Sequence, residues 1–202
     1  MIKLGITGGM GSGKSVVVSF LKATGIPVYI ADDEAKRITS TLPAVKEKLT
    51  SYFGDKIFDG DVLNKTLFAS LIFENEDNLK KANSIIHPEV LNDFLSWSEK
   101  QDAPIVAMES AILFESGFDA FVDKIICVTA PVEICIERAM KRSGFSRAEA
   151  LERICKQMPE QQKIEKSDYI ICNDGIEPVI PQVEKVLENI FLKKIFSSLS
   201  AT

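Results

Sequence analysis

Histidine, tryptophan and cysteine are scarce in this sequence. Its 202 residues hold one histidine, one tryptophan and four cysteines. Cys127, Cys135, Cys155 and Cys172 contain no Cys-x-x-Cys pair, so nothing in their spacing suggests a metal or dithiol redox site. Cys127 and Cys172 fall in strand-like runs, where a free thiol behaves as a small hydrophobe. Basic charge is also short. Lys and Arg number 24 against 29 Asp and Glu, giving a formal charge of -5, which argues against a nucleic-acid partner. No apolar run approaches the ~20 residues of a membrane span. The apolar start, Met1–Leu4, is broken from Gly5 onward before a secretory core could form. Repeats and low-complexity tracts are missing, and no feature signals a strong oligomer. These absences lead us to expect a cytoplasmic protein with no membrane partner, a monomer or weak homo-oligomer. The remaining composition, 46% hydrophobic and 26% charged, suits an ordinary globular core.

Five short apolar runs read as buried strands: Ile2–Thr7, Pro27–Ala31, Ile105–Glu109, Lys124–Thr129 and Asp168–Cys172. They are continuous rather than alternating, as in parallel sheets covered on both faces. Helical stretches separate them. Lys14–Thr24 stops at Gly25 and Pro27. Pro131–Arg142 begins with a proline at its first position. Ser146 and Glu149 form a capping box that opens a helix reaching about Met158. The tail from Glu177 has one apolar face. Strand–helix alternation predicts an α/β fold around a five-stranded parallel sheet. Residues 34–103 break the alternation, because a crossover needs only a dozen or more residues. They read as a helical insertion without strands. Its helices are marked by Val45, Leu49 and Tyr52, by Leu67, Phe68, Leu71 and Ile72, and by Leu79, Ala82, Ile85 and Ile86. Such an excursion is a natural place to recognise a second substrate.

Gly8-Gly9-Met10-Gly11-Ser12-Gly13-Lys14-Ser15 fits G-x-x-x-x-G-K-[ST] at every fixed position. It follows a buried strand and opens a helix, the context that the chemistry needs. Glycines let backbone N–H groups turn inward as a phosphate cradle, and the helix N-terminus adds partial positive charge. Gly8, Gly9, Gly11, Ser12, Gly13, Lys14, Ser15 and Val16 are therefore expected to bind ATP. Lys14 would reach the β- and γ-phosphates, and the Ser15 hydroxyl would hold Mg²⁺. GTPase signatures are missing: no Asp has Gly three residues on, and Asn64-Lys65-Thr66-Leu67 lacks the final Asp. Glu109 ends its strand without a second carboxylate. It either helps Mg²⁺ through water or merely caps the strand.

Only five arginines exist, and Arg138, Arg142, Arg147 and Arg153 lie close together. Arg138 and Arg142 are four apart on one helix, a spacing at which like charges repel by roughly 0.2–0.5 kcal/mol. They read either as a solvated helix face or as a lid whose planar guanidinium groups fork onto phosphate oxygens while water is kept out. Asp32 and Asp33 follow the second strand. A carboxylate there can accept the proton of an acceptor hydroxyl. One of the pair can equally cap a helix that begins at Glu34. Without a family, the chain reads as a P-loop small-molecule kinase or as a non-catalytic ATP-binding switch.

The strings also run in a familiar order. Gly5-Ile6-Thr7-Gly8-Gly9-Met10-Gly11-Ser12-Gly13-Lys14-Ser15 resembles the opening of dephospho-CoA kinases. Ile30-Ala31-Asp32 with Ala35-Lys36, Leu63-Asn64-Lys65, Ile86-His87-Pro88 and Leu113-Phe114-Glu115-Ser116 are similar to later family motifs. So are Arg138-Ala139-Met140-Lys141-Arg142, Arg153-Ile154-Cys155-Lys156-Gln157 and Asp168 through Gly175. The resemblance implies a three-layer P-loop NTPase core in residues 1–33 and 104–202. It further implies a helical substrate insertion in residues 34–103 and an arginine-bearing lid over residues 138–158. It implies transfer of the ATP γ-phosphate to the ribose 3′-hydroxyl of dephospho-CoA, with ATP and Mg²⁺ required. Asp32 falls on the family's base, Arg138 and Arg142 on its lid positions, and Asn173 on the segment lining the adenine pocket. Ile30, Lys65, Glu109, Ala111 and Val16 depart from the family pattern without touching those positions. His87, ahead of Pro88, is expected between two helices in a structural or substrate-positioning role.

Overall fold

The computed structural model describes residues 1–60, 62–73 and 75–199, with backbone alone for Phe73 and residues 193–199. It opens with strand β1 (Ile2–Thr7), helix α1 (Lys14–Ala23) and strand β2 (Val28–Ile30). Helices α2 (Ala31–Thr41) and α3 (Pro43–Phe53) follow, then short strands β3 (Phe58–Asp59) and β4 (Val62–Leu63), then helices α4 (Lys65–Phe73) and α5 (Glu76–Glu99). Strands β5 (Ile105–Glu109) and β6 (Lys124–Thr129) lead to helices α6 (Val132–Ser143), α7 (Arg147–Cys155) and α8 (Glu160–Glu165). Strand β7 (Tyr169–Cys172) and helix α9 (Val179–Leu199) complete it. The chain forms two compact units, one of Met1–Val28 and the chain from Ala103 onward, the other of Tyr29–Asp102.

The first unit is an α/β sheet-and-helix core. Its five-stranded sheet has the order β2-β5-β1-β6-β7. β1 pairs in parallel with β5, Leu4 opposite Ala107, and with β6, Leu4 opposite Lys124. Leu4 through Thr7, Ile105 through Met108 and Ile125 through Thr129 are buried residue after residue. That pattern requires cover on both faces, which is why these runs lack alternation. At Gly5 a Cβ would stand 2.7 Å from Leu113 Cδ2, so a larger residue there would make the Leu113 side chain shift. The capping box at Ser146 and Glu149 is formed as expected and starts α7. That helix stops at Cys155, short of Met158, and the six-residue α8 is an addition to the sequence reading. Pro131 sits at the cap of α6 rather than at its first helical position.

The second unit gathers α2, α3 and α4 around α5. Ile38, Val45, Leu49, Ile57, Phe68, Ala82, Ile85, Val90 and Phe94 are buried within it. Two expectations fail here. The insertion is not strand-free, because β3 and β4 pair as an antiparallel hairpin. His87-Pro88 does not join two helices: both residues lie inside the 24-residue α5. Proline removes one helical hydrogen bond, and burial of Ala82, Ile85, Val90 and Phe94 on either side of it outweighs that local loss.

The four cysteines are free thiols, with Cys127 and Cys135 buried and Cys155 exposed. Burial pushes the Cys127 thiol up to about 11. Among the described residues, no helix is long and apolar enough to cross a membrane. Tyr29 meets Phe94 edge-on at 5.4 Å, and the Trp97 ring lies 6.1 Å from Phe94. Because Phe94 is wholly buried, Phe94→Ala is expected to cost about 3–5 kcal/mol. Urea unfolding followed by the fluorescence of Trp97 checks this value, and Phe94→Leu should lose markedly less.

Candidate active site

Thr7 ends β1, and the chain turns through the glycine loop into α1. A Cβ at Gly8 would stand 2.2 Å from the Val128 carbonyl oxygen, and one at Gly11 would stand 2.3 Å from that of Cys135. Gly13 adopts φ +97, and a Cβ there would meet Asn173 Nδ2 at 1.8 Å. The loop is thus pressed by the end of β6, by α6 and by the segment after β7. Ser12 is fully buried, and its Oγ has no hydrogen-bond partner, as is true of Thr7 Oγ1. Two buried hydroxyls left unsatisfied at a loop of this shape are what a polar ligand would explain.

Cationic groups converge on the loop from two sides. Lys14 Nζ donates to the carbonyls of Gly8 at 3.0 Å and Gly9 at 3.3 Å, and it lies 3.7 Å from Glu109 Oε1. Arg138 donates to the carbonyls of Gly11 at 3.4 Å and Ser12 at 3.5 Å, and to Asn173 Oδ1 at 3.3 Å. Asn173 Nδ2 donates to the Ser12 carbonyl at 2.9 Å. Ser15 and Val16 are exposed on the first turn of α1. Gly9 and Met10 meet a residue that carried no role in the sequence reading, Gln157, whose Oε1 accepts the Met10 N–H at 2.9 Å. Nothing local in sequence could link these two, as they lie 147 positions apart.

The arginine cluster divides. Ile136, Ala139 and Ala150 pack α6 on α7, with Met10, Phe145 and Ile154 against them. Arg138 faces the loop. Arg147 forms a two-pronged pair with Glu133 at 2.8 and 2.9 Å, and Arg153 stacks on the Phe145 ring at 4.6 Å. Arg142 is exposed in the last turn of α6. In the second unit, α2 opens at Ala31 with Ile30 at its cap and no side-chain cap bond. Neither aspartate therefore caps a helix at Glu34. Asp32 and Asp33 both lie in the first turn, where the helix's positive end favours carboxylates. Asp33 pairs with Lys36 at 2.8 Å. Half-buried His87 is held below its ordinary pKa by burial, against the opposing charge of Asp32. Tyr29 donates to Asp93 at 2.8 Å, and Arg37 to Asp93 at 2.7 Å and to Glu34.

Gly13→Ala combines a left-handed residue with a clash on Asn173. Positive-φ strain of about 1–3 kcal/mol should lower stability by that amount, measured by urea unfolding, with secondary structure by circular dichroism retained.

Known proteins resemble the whole chain. The family model for dephospho-CoA kinase matches residues 2–178. A dephospho-CoA kinase of Bacteroides fragilis is 44% identical over 193 residues, covering 95% of this chain and 94% of that protein. One from Porphyromonas gingivalis is 40% identical, covering 96% of each. A crystal structure of the Thermus thermophilus protein TT1252 superposes with a TM-score of 0.81 at 32% identity, covering 95% of this chain and 97% of the other. With a matching model over most of its length and relatives this similar, the chain belongs to the dephospho-CoA kinase family.

Proposed function

We propose that this kinase transfers the γ-phosphate of ATP to the ribose 3′-hydroxyl of dephospho-CoA, giving coenzyme A and ADP, the last step of CoA synthesis. The observation that carries the reading is the convergence of Lys14, Arg138 and Asn173 on one glycine loop at the N-terminus of α1. Loop N–H groups from Gly9 to Val16 and the helix end bind the phosphates. Lys14 and Arg138 neutralise charge on the transferring group, and Arg142 joins them from the lid spanning residues 138–158. Asn173 ties the segment after β7 to the loop beside the nucleotide.

The donor set fits Mg²⁺ brought in with ATP. Among the described residues, no group of three or more His, Cys, Asp or Glu is gathered as a metal site, and Mg²⁺ usually takes one or two protein ligands beside phosphate oxygens. Ser15 would hold it. When bound, it would supply charge neutralisation for the triphosphate. Asp32 accepts the 3′-hydroxyl proton, and closure of α6 and α7 keeps water from the γ-phosphorus. Residues 34–103 recognise dephospho-CoA in this reading, and the enzyme works in the cytoplasm as a monomer or weak homo-oligomer.

An assay coupling ADP release to NADH oxidation tests the whole reading. Release should depend on added dephospho-CoA and vanish in Lys14→Ala. ADP formed equally without acceptor would point instead to an ATP-binding switch with idle hydrolysis. Release driven only by another alcohol would point to a different small-molecule kinase.

The adjacent aspartates separate base from bystander. Asp32→Asn should lower kcat about 10²–10⁴-fold, the usual contribution of a positioned proton acceptor, while still binding both substrates. Asp33→Asn loses only an exposed ion pair, worth about 0–1 kcal/mol, and should stay active. A dead Asp33→Asn beside an active Asp32→Asn would move the base by one residue.

A further inference from the structure

Gln157 stands in the turn between α7 and α8, and its side chain reaches over the glycine loop. Oε1 takes the N–H of Met10, the third residue of the loop, at 2.9 Å. A Cβ on neighbouring Gly9 would find Gln157 Oε1 nearest, at 3.8 Å. One peptide plane of the cradle is therefore set from outside the loop, by an amide on a connecting turn.

That turn is held by an unusual arrangement. The residue after Gln157 donates its backbone N–H (Met158) to Glu115 Oε1 at 2.8 Å. The same carboxylate oxygen lies 3.2 Å from Lys163 Nζ. Lys163 is 1% exposed, and its ammonium also donates to the Ala111 carbonyl at 2.6 Å. Lysine is almost never buried so fully, and removing an ammonium from water is costly unless its partners are fixed. A surface cap would have closed the turn at less cost. The buried ammonium instead holds the Glu115 carboxylate on one side of the turn, next to Gln157.

We propose that Gln157 is a positioning residue for phosphoryl transfer, latched by the Glu115–Lys163 pair, which fixes the Met10 peptide so that the loop's N–H groups converge on the triphosphate. This rests on the reading of the loop as the ATP site. The chain of contacts runs from Ala111 and Lys163 through Glu115, Met158 and Gln157 to Met10. Each link is a hydrogen bond or ion pair within one unit, apart from the peptide bond that joins Gln157 to Met158. Through it, the β5–β6 connection and the lid turn share one geometry with the phosphate cradle.

The experiment compares Gln157→Ala, Gln157→Glu and the double variant Glu115→Gln/Lys163→Met, which removes both charges at similar volume. Three readouts are taken: the Met10 amide resonance in the substrate-free protein, affinity for a non-hydrolysable ATP analogue, and kcat for ADP release. Gln157→Ala should shift the Met10 amide upfield and lower kcat about 10²-fold, with KM for dephospho-CoA unchanged. Gln157→Glu keeps an acceptor, so it should hold the Met10 resonance downfield while its charge weakens the ATP analogue. The double variant should reproduce the Gln157→Ala shift, and adding Gln157→Ala to it should change little more. An unmoved Met10 resonance in Gln157→Ala or the double variant overturns the proposal, as does wild-type kcat and analogue affinity in Gln157→Ala. If wild-type protein fails to release ADP with dephospho-CoA, the functional reading falls. The resonance and analogue affinity still decide the latch.

Discussion

Backbone pressing on backbone is the constraint on which this molecule is organised. The Val128 and Cys135 carbonyls approach the glycine loop more closely than any side chain would permit, and Asn173 closes on Gly13. These three groups come from the end of β6, the start of α6 and the exit of β7. The loop's shape is thus a property of the sheet order, because β6 must lie beside β1 for Val128 to reach Gly8. Arg138 follows from the same packing. It is one turn beyond Cys135 on α6, so the contact that shapes the loop also delivers a cation to it.

Charge is used sparingly and in matched settings. Lys14 bridges loop carbonyls and Glu109, so its ammonium stays on the cradle rather than sampling solvent. Arg147 and Arg153 spend their charge on α6 and α7 themselves, through Glu133 and the Phe145 ring. Their pairing explains how four arginines crowd one stretch without mutual repulsion dominating.

What could be read from sequence, and what could not, follows from the range of each interaction. The strands were legible because parallel strands covered on both faces leave unbroken apolar runs. The cradle was legible because its glycines and the Lys14-Ser15 pair stand at fixed spacing between a strand and a helix. β3 and β4 escaped notice, since two residues each carry no pattern, and α8 is too short for periodicity. Pro88 read as a breaker, yet buried side chains on both sides carry α5 through it. One of the two aspartates also read as a cap for a helix from Glu34, but α2 begins earlier, at Ala31. The contacts of Gln157, matched only as the end of a motif, and of Lys163 lay beyond reach for a different reason. They are made with Met10, Ala111 and Glu115, far away in the chain.

Residues 31–104 run between two strands that are neighbours in the sheet, β2 and β5. This has a consequence for the order in which the chain assembles. β1 begins at Ile2, and its parallel partner begins at Ile105, so pairing them directly would close a long, floppy loop at an entropic cost that grows with its length. Within Tyr29–Asp102 the helices close shorter loops than that, with α2, α3 and α4 all packing on α5. Ordering that stretch first shortens the free chain that the β1–β5 pairing must close. The glycine loop at the end of β1 therefore depends on a long-range pairing that the intervening helices make less costly to reach.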